Sequence, residues 1–458
     1  MYDLERVDYM KKFDEVIEEY KEEFLNDLNE LLSIRSVSAE GDKIPQQALN
    51  WMLRKAESFG LRTKNIDNTA GHAEYGEGEK ICGVLTHLDV VPAKAEDWSC
   101  EPFALTRKNG RMYGRGVADD KGSALCALYC LRALKECGIT GNRVRVIFGT
   151  SEEIGMKDME TYFSQEPVPD ISFTPDSEYG ICKGEKGIYH LEISDPLLNN
   201  GKLISFYAGS ANNVVPDMAY AVVGGSGRID IDVQNNAGEI KIENTENDVK
   251  ITAKGKAAHA CEPYKGLNAA AALANLLSKT MGYESVGNLV SFMDDCIGNQ
   301  TNGDSMGVSM SDEESGELTL TLSRVCIKKD ESKAVIDIRY PVTVNGETVL
   351  EQIRKKAGER GLEVKVIDEE KPLFLDEKSD VVKILSKAYE NVMGTAPELY
   401  TTGGGTYART LRGKGVAFGP VFPDDDSRMH NTDESLDEEK FFKHFRICLE
   451  AMCEMMNF

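Results

Sequence analysis

The stretch from Lys80 to Val91, KICGVLTHLDVV, constrains this chain more than any other. Ile81, Cys82, Val84, Leu85 and, beyond the polar residues, Val90 give it the apolar texture of a strand buried on both faces. It ends in His87-Leu88-Asp89, so it delivers an imidazole and a carboxylate to its C-terminal end, where open α/β sheets bind their ligands. On an extended segment the i, i+2 spacing puts both side chains on one face, which suits a metal-binding histidine braced by a carboxylate.

The same pattern recurs along the first 185 residues. Apolar positions at helical spacing predict helices over about Met10 to Leu32, Gln46 to Phe59 and Gly122 to Glu136. Strands are expected at Val144 to Phe148, running into Ser151-Glu152-Glu153, and at Ile171 to Thr174, running into Pro175-Asp176. Strand and helix alternate, which predicts an α/β domain with a mostly parallel sheet and helices on both faces. Around Cys182 the texture changes to period-2 strands: GEKGIYHLEISD, SGRIDIDV, DVKITAKG, LTLTLSRVCI and KAVIDIRY. Helices interleave near Asn268 to Thr280 and Thr348 to Arg360, and Asp304 to Gly316 reads as an acidic loop. From Asp380 the α/β texture returns, with a helix to Met393, a strand at Val416 to Val421 and a closing helix from about Asp437 to Met455. The expected organisation is a discontinuous catalytic domain, 1–185 and 376–458, interrupted by an inserted α+β lid domain, 186–375.

Composition narrows the partners. With 53 Lys+Arg against 77 Asp+Glu the net charge is −24, and no basic run collects phosphates, so a nucleic-acid partner is not expected. Eleven scattered cysteines without a CxxC pair suggest reduced thiols in a cytoplasmic protein. Acidic residues from the first turn exclude a signal peptide, and no run of 18 apolar residues suggests a membrane span.

The polar clusters fall where strands end or in the late loops: His87, Asp89, Asp119, Asp120, Glu152, Glu153, Asp176 and His430. Two imidazoles and several carboxylates without a thiolate suit two divalent cations, Zn²⁺ with Mn²⁺ or Co²⁺ as alternatives, about 3.5–4 Å apart and bridged by one carboxylate. If Glu152-Glu153 is extended, its side chains point apart, so that one can ligate while the other serves as a base.

HLDVV, GRGVADDKG, SEEIG, TPDSE, GKAAHACEP, the GGGT loop and the late His430, in this order over nearly the whole chain, resemble the M20 family of co-catalytic metallopeptidases, and within it the PepV-like dipeptidases. The resemblance implies His87, Asp119 and Asp176 on one metal, and Glu153 and His430 on the second, with Asp119 bridging. It implies Glu152 as the general base acting on a metal-bridging water, Asp89 as the carboxylate that orients His87, and a structural Asp120 joined to Asp119 by a cis bond. In the insertion it implies His259 as the donor to the scissile carbonyl oxygen. Asn213, Arg339 and the Gly403, Gly404 and Gly405 loop would bind substrate, the arginine gripping a terminal carboxylate and the glycines letting backbone approach the peptide. The implied activity is hydrolysis of unblocked dipeptides by a monomer with His259 supplied in cis. The alternatives are a deacylase of N-acylated amino acids in the same family, or a metal-dependent peptide-binding protein without catalysis.

Overall fold

The computed structural model describes residues 2–198, 201–225 and 238–458, with side chains from residue 11 onward. The chain forms two compact units, one of residues 1–183, 374–400 and 405–458, the other of 184–373 and 401–404.

The first unit is built on a mixed sheet. Four central strands run parallel in the order Arg143–Gly149, Ile81–His87, Ile171–Thr174 and Gly415–Ala417. Antiparallel pairing closes both sides, with Ala70–Tyr75 and Arg62–Ile66 beyond the first strand and Cys182 beside Ala417 on the other. Every residue of Ile81–His87 is buried, as its unbroken apolar run requires. Cys82 lies against the Met455 carbonyl of the Glu438–Met456 helix, while Leu85 packs with Ile147, Met159, Tyr162 and Tyr407. Residues three apart on a strand face opposite ways, so helices cover both faces of the sheet. The expected strand from Val416 to Val421 is broken in two, because the chain turns at a cis Gly419–Pro420 bond.

The second unit holds an eight-stranded antiparallel sheet in the order Glu239–Asn244, Asp248–Lys254, Met218–Gly224, Leu203–Ala208, Thr319–Lys328, Glu331–Tyr340, Gly187–Ser194 and Glu363–Glu370. Ala269–Met281 and Gly346–Gly358 pack on its apolar side. The expected strand SGRIDIDV lies outside the described residues. Asp304 to Gly316 contains half of a small hairpin, Ser311–Asp312 against Gly316–Glu317. Among the described residues no helix is long and apolar enough to cross a membrane.

A buried polar chain links three strands of this second sheet. His190 Nε2 lies 2.9 Å from Asp337 Oδ2, and the other side of Asp337 is gripped by Arg339 through Nε at 2.7 Å and Nη2 at 2.6 Å. Asp368 sits 3.5 Å from His190 Nδ1. Burial opposes charge on His190, but Asp337 and Asp368 outweigh it and push its pKa up to about 9. A group raised above its unfolded value near 6.5 contributes stability in full below that pH and loses it as pH rises through the folded value. At roughly 1.4 kcal/mol per tenfold change in proton affinity this is on the order of 3 kcal/mol. Denaturant unfolding of the second unit should therefore weaken between about pH 6.5 and 9, and His190→Gln should flatten that slope. An unchanged slope would show that His190 is not charged in the folded chain.

Candidate metal centre

The parallel strands bring their C-terminal ends to one edge, and the polar clusters follow from there. His87 closes its strand in register with Gly149, after which the chain enters the Glu152–Ile154 turn. A Cβ on Gly149 would collide with the Tyr407 hydroxyl and with Asp158, so this strand end tolerates only glycine. Asp176 follows Ile171–Thr174, and Asp119 precedes the Lys121–Glu136 helix across a cis Asp119–Asp120 bond. His430 sits in a loop with a left-handed φ of 61°.

These segments converge on Asp119. Its Oδ1 lies 2.7 Å from His87 Nε2, and its Oδ2 lies 2.7 Å from His430 Nε2. Asp176 Oδ2 is 3.8 Å from the first imidazole nitrogen, and Glu153 Oε2 is 3.4 Å from the second. The result is two triads of ligand atoms, His87-Asp119-Asp176 and Asp119-Glu153-His430, each within 4.8 Å and sharing one carboxylate. His87 Nδ1 donates to the Asp89 carbonyl at 2.9 Å, so a cation that displaces the proton held there by Asp119 and Asp176 would meet the Nε2 lone pair. Despite the short distance, His87 Nε2 and Asp119 make no hydrogen bond of good geometry, and buried Glu153 Oε1 likewise has no hydrogen-bond partner. Lone pairs facing one another in a buried site are what divalent cations satisfy, so the residues fit two of them.

The proton affinities point the same way. Burial, reinforced by Asp176, Glu153 and Asp119, pushes Glu152 well above the usual carboxylate range, and burial with Asp119 raises Asp176 to about 7. Partial desolvation disfavours charge on His430, whose side chain is half-exposed, but Asp119 and Glu153 push its pKa up to about 12. Protons and cations compete for the same lone pairs, so bound cations would replace this crowded proton holding.

A buried frame holds the ligands. Asp89 accepts from the Glu152 N–H at 3.1 Å and the Glu153 N–H at 3.2 Å, one on each oxygen, and its Oδ1 is 3.5 Å from His87 Nδ1. Its carboxylate thus serves both glutamates, while its backbone carbonyl orients His87. The pair is therefore not extended, as the sequence suggested, but lies in a 3₁₀ turn whose N–H groups are capped by Asp89. Asp120 Oδ2 accepts from the His87 N–H at 3.1 Å and is a brace. Two further residues have no role in the sequence reading. Glu434 pairs with Arg115 and takes the N–H groups of Gly116 at 3.0 Å, Ala118 at 2.9 Å and Asp119 at 3.3 Å, stitching the His430 loop to the Asp119 loop. Tyr407 donates to Asp158, which accepts from the Thr150 and Ser151 N–H groups, and its ring stands edge-on to His87. Glu434 lies four residues past His430 and Tyr407 directly follows the glycine loop, but nothing in the sequence says that either side chain is buried.

His259, Asn213, Arg339, Gly403 and Gly404 lie in the second unit, and Gly405 in the first. Val214–Val215 pairs with Ala258–His259, and the Ala260 N–H donates to the Asn213 carbonyl at 2.8 Å, so Asn213 and His259 stand side by side. Cys261 N–H donates to His259 Nδ1 at 3.2 Å, which places the proton of the neutral ring on Nε2. Arg339 is only 3% exposed, and Asp337 occupies its Nε and Nη2 edge, so a carboxylate can be met bidentately only end-on. Its Nη1 donates to the Gly403 carbonyl at 3.0 Å. The close approach at Gly403 is to Cys261, whose Cβ would lie 2.8 Å from an added Cβ, and Gly404 N–H donates to Thr402 Oγ1 at 3.1 Å.

This is the site architecture of a hydrolase that works through divalent cations. Residues 83–454 match the model of Peptidase family M20/M25/M40, and the chain belongs to that family. It is 34% identical over 458 residues to "Putative dipeptidase YtjP" of Bacillus subtilis (strain 168), covering 95% of this chain and 97% of that one. Among solved structures it resembles human carnosine dipeptidase 1, at 14% identity and a TM-score of 0.64, over 98% of this chain and 99% of that one. It also resembles the di-peptidase Dug1p of Saccharomyces cerevisiae, at 15% identity and a TM-score of 0.63, over 98% and 99%. The two solved structures bear on the fold alone.

The frame generates a prediction that separates it from the ligands. Asp89→Ala leaves the Glu152 and Glu153 N–H groups without their acceptor while every candidate ligand remains. Metal affinity, read by competition with a chromogenic chelator, should fall about 10–100-fold, the usual cost of losing a partner behind the ligands. Unchanged affinity would show that the turn holds its shape without Asp89.

Proposed function

We propose that this protein is a metal-dependent dipeptidase that cleaves the peptide bond of unblocked dipeptides. The observation that carries the reading is Asp119, whose two oxygens face two different imidazoles. His87, Asp119 and Asp176 would hold one divalent cation, and Asp119, Glu153 and His430 the other, with Zn²⁺ the first candidate and Mn²⁺ or Co²⁺ as alternatives. Two cations there supply Lewis acidity to the scissile carbonyl and acidify a water for attack.

Glu152 takes a proton from the attacking water and passes it to the leaving amine. A carboxyl whose proton affinity is raised by burial and like charge accepts and releases that proton near neutral pH. Asp89 keeps the two neighbouring glutamates in separate roles by fixing the turn between them. On the family resemblance, His259 donates from Nε2 to the oxyanion, and Asn213 lies beside it. Arg339, held by Asp337, meets the substrate carboxylate end-on through Nη1 and Nη2. The Gly403 to Gly405 loop lines the peptide's path.

We further infer the discontinuous catalytic domain, 1–185 and 376–458, with 186–375 as its lid, and a monomer in the cytoplasm. An insertion of this length resembles that of the PepV-like members, which supports His259 acting in cis. The relatives named as dipeptidases support the substrate class. Eleven scattered cysteines without a CxxC pair fit a reducing compartment.

Glu152→Gln should keep both metals, counted by elemental analysis, yet lose about 10²–10⁴-fold or more in rate, because a general base is removed without a ligand. If that variant came out metal-depleted, the roles of Glu152 and Glu153 would have to be exchanged. With wild type, turnover of a panel of Ala-Xaa dipeptides and none of N-acetyl amino acids is expected. The reverse pattern would establish the deacylase, and no turnover of either class by the metal-loaded chain would favour a binding protein.

A further inference from the structure

A second group of ligand-type side chains lies in the first unit, apart from the Asp119 centre. Cys126 and Cys130 are one turn apart on the Lys121–Glu136 helix, and His444 and Cys448 are one turn apart on the Glu438–Met456 helix. All four are fully buried. Cys126 Sγ, Cys448 Sγ and a His444 ring nitrogen lie within 4.8 Å of one another.

The spacing suits a tetrahedral cation. His444 Nε2 and Nδ1 lie 3.6 and 3.7 Å from Cys448 Sγ. With Zn–N near 2.0–2.1 Å and Zn–S near 2.3 Å, two ligand atoms of one tetrahedron stand about 3.5 Å apart. His444 Nδ1 is 2.8 Å from the Tyr179 hydroxyl, so one ring nitrogen has an oxygen partner, as in ligating histidines, and Nε2 is the candidate ligand atom. Cys130 Sγ is 3.8 Å from the Phe445 carbonyl, at the weak limit of a thiol bond, and one helical turn from Cys126 it is the candidate fourth ligand. Core cysteines often merely pack as small apolar residues. Three thiols and an orientated imidazole on two facing helices form a more specific arrangement.

We propose that Cys126, Cys130, His444 and Cys448 form a structural site for a thiophilic cation of the Zn²⁺ class. On binding, each ligating thiol releases its proton to solvent, and His444 ligates as the neutral ring. The site would clamp the helix that starts just after Asp119 to the helix that follows the His430 loop. Both segments feed the Asp119 centre, so the clamp would support its geometry without touching substrate.

The test is Co²⁺ loading of the whole chain. Every ligand proposed for the Asp119 centre is nitrogen or oxygen, so a thiolate-to-Co²⁺ charge-transfer band in the near ultraviolet reports only cysteine ligation. The expected result is such a band saturating at one ion per chain, lost in Cys448→Ser together with one metal ion per chain in elemental analysis, with dipeptide turnover retained. Cys126→Ser serves as the second variant should the first fail to fold. A loaded wild-type chain without the band overturns the proposal, as does a band that survives both substitutions.

Discussion

The Asp119 carboxylate is the interaction on which the rest of the structure depends. Two imidazoles approach its two oxygens from opposite sides, and Asp176 and Glu153 crowd the same nitrogens from 3.8 and 3.4 Å. Gathering this many carboxyl groups in a buried place is costly unless cations or protons offset the charge. The upward push on the proton affinities of Glu152, Asp176 and His430 is that same cost expressed at each group. Divalent cations would meet it better, because one ion satisfies several lone pairs at once.

Such a site needs a scaffold that can aim residues from distant parts of the chain at one point. Parallel strands do this by ending together, so His87, Glu153 and Asp176 arrive from three adjacent strands. Asp119 and His430 arrive differently, from loops, and loops need their own restraint. Glu434 provides it by binding Arg115 and three backbone N–H groups between Gly116 and Asp119. A buried carboxylate that gathers one cation and several N–H groups is fully used, and it welds a segment more than three hundred residues away to Asp119.

Much of this was legible in the sequence, for reasons that can be named. Ile81 to Leu85 is apolar without interruption because both of its faces are covered, and Ile171 to Thr174 is a short strand for the same reason. Helices with one apolar face, such as Asp380–Met393, declared themselves by spacing. The strands Leu203–Ala208 and Met218–Gly224 did not, because Ile204, Tyr207 and Tyr220 leave apolar side chains on the solvent face and blur the period-2 signal. The cluster around Asp119 was legible because His, Asp and Glu at strand ends are few. Its supports were not: Glu434, Asp158 and Tyr407 are recognisable only once burial and partners are known. The partner of Arg339 was not legible either, since only the structure shows Asp337, two residues away on the same strand face, taking its Nε and Nη2.

The adjacent glutamates show how a small departure from regular geometry creates chemistry. Had Glu152 and Glu153 continued the Arg143–Gly149 strand, they would have pointed to opposite faces of the sheet, and only one could have reached the imidazoles. The chain instead leaves the strand at Gly149 and tightens into a 3₁₀ turn, where successive side chains diverge by about a third of a revolution. That angle is small enough for both carboxyls to stay at the site and large enough for one to meet His430 while the other does not. The turn alone would be marginal, being three residues long with two N–H groups near the end of the sheet. Asp89 stabilises it by accepting both, and because Asp89 also fixes the His87 ring through its backbone, both glutamates and His87 are referred to the same residue. A displacement of Glu152 relative to Glu153 and His87 would then require Asp89 to move, and Asp89 is buried just past the Ile81–His87 strand.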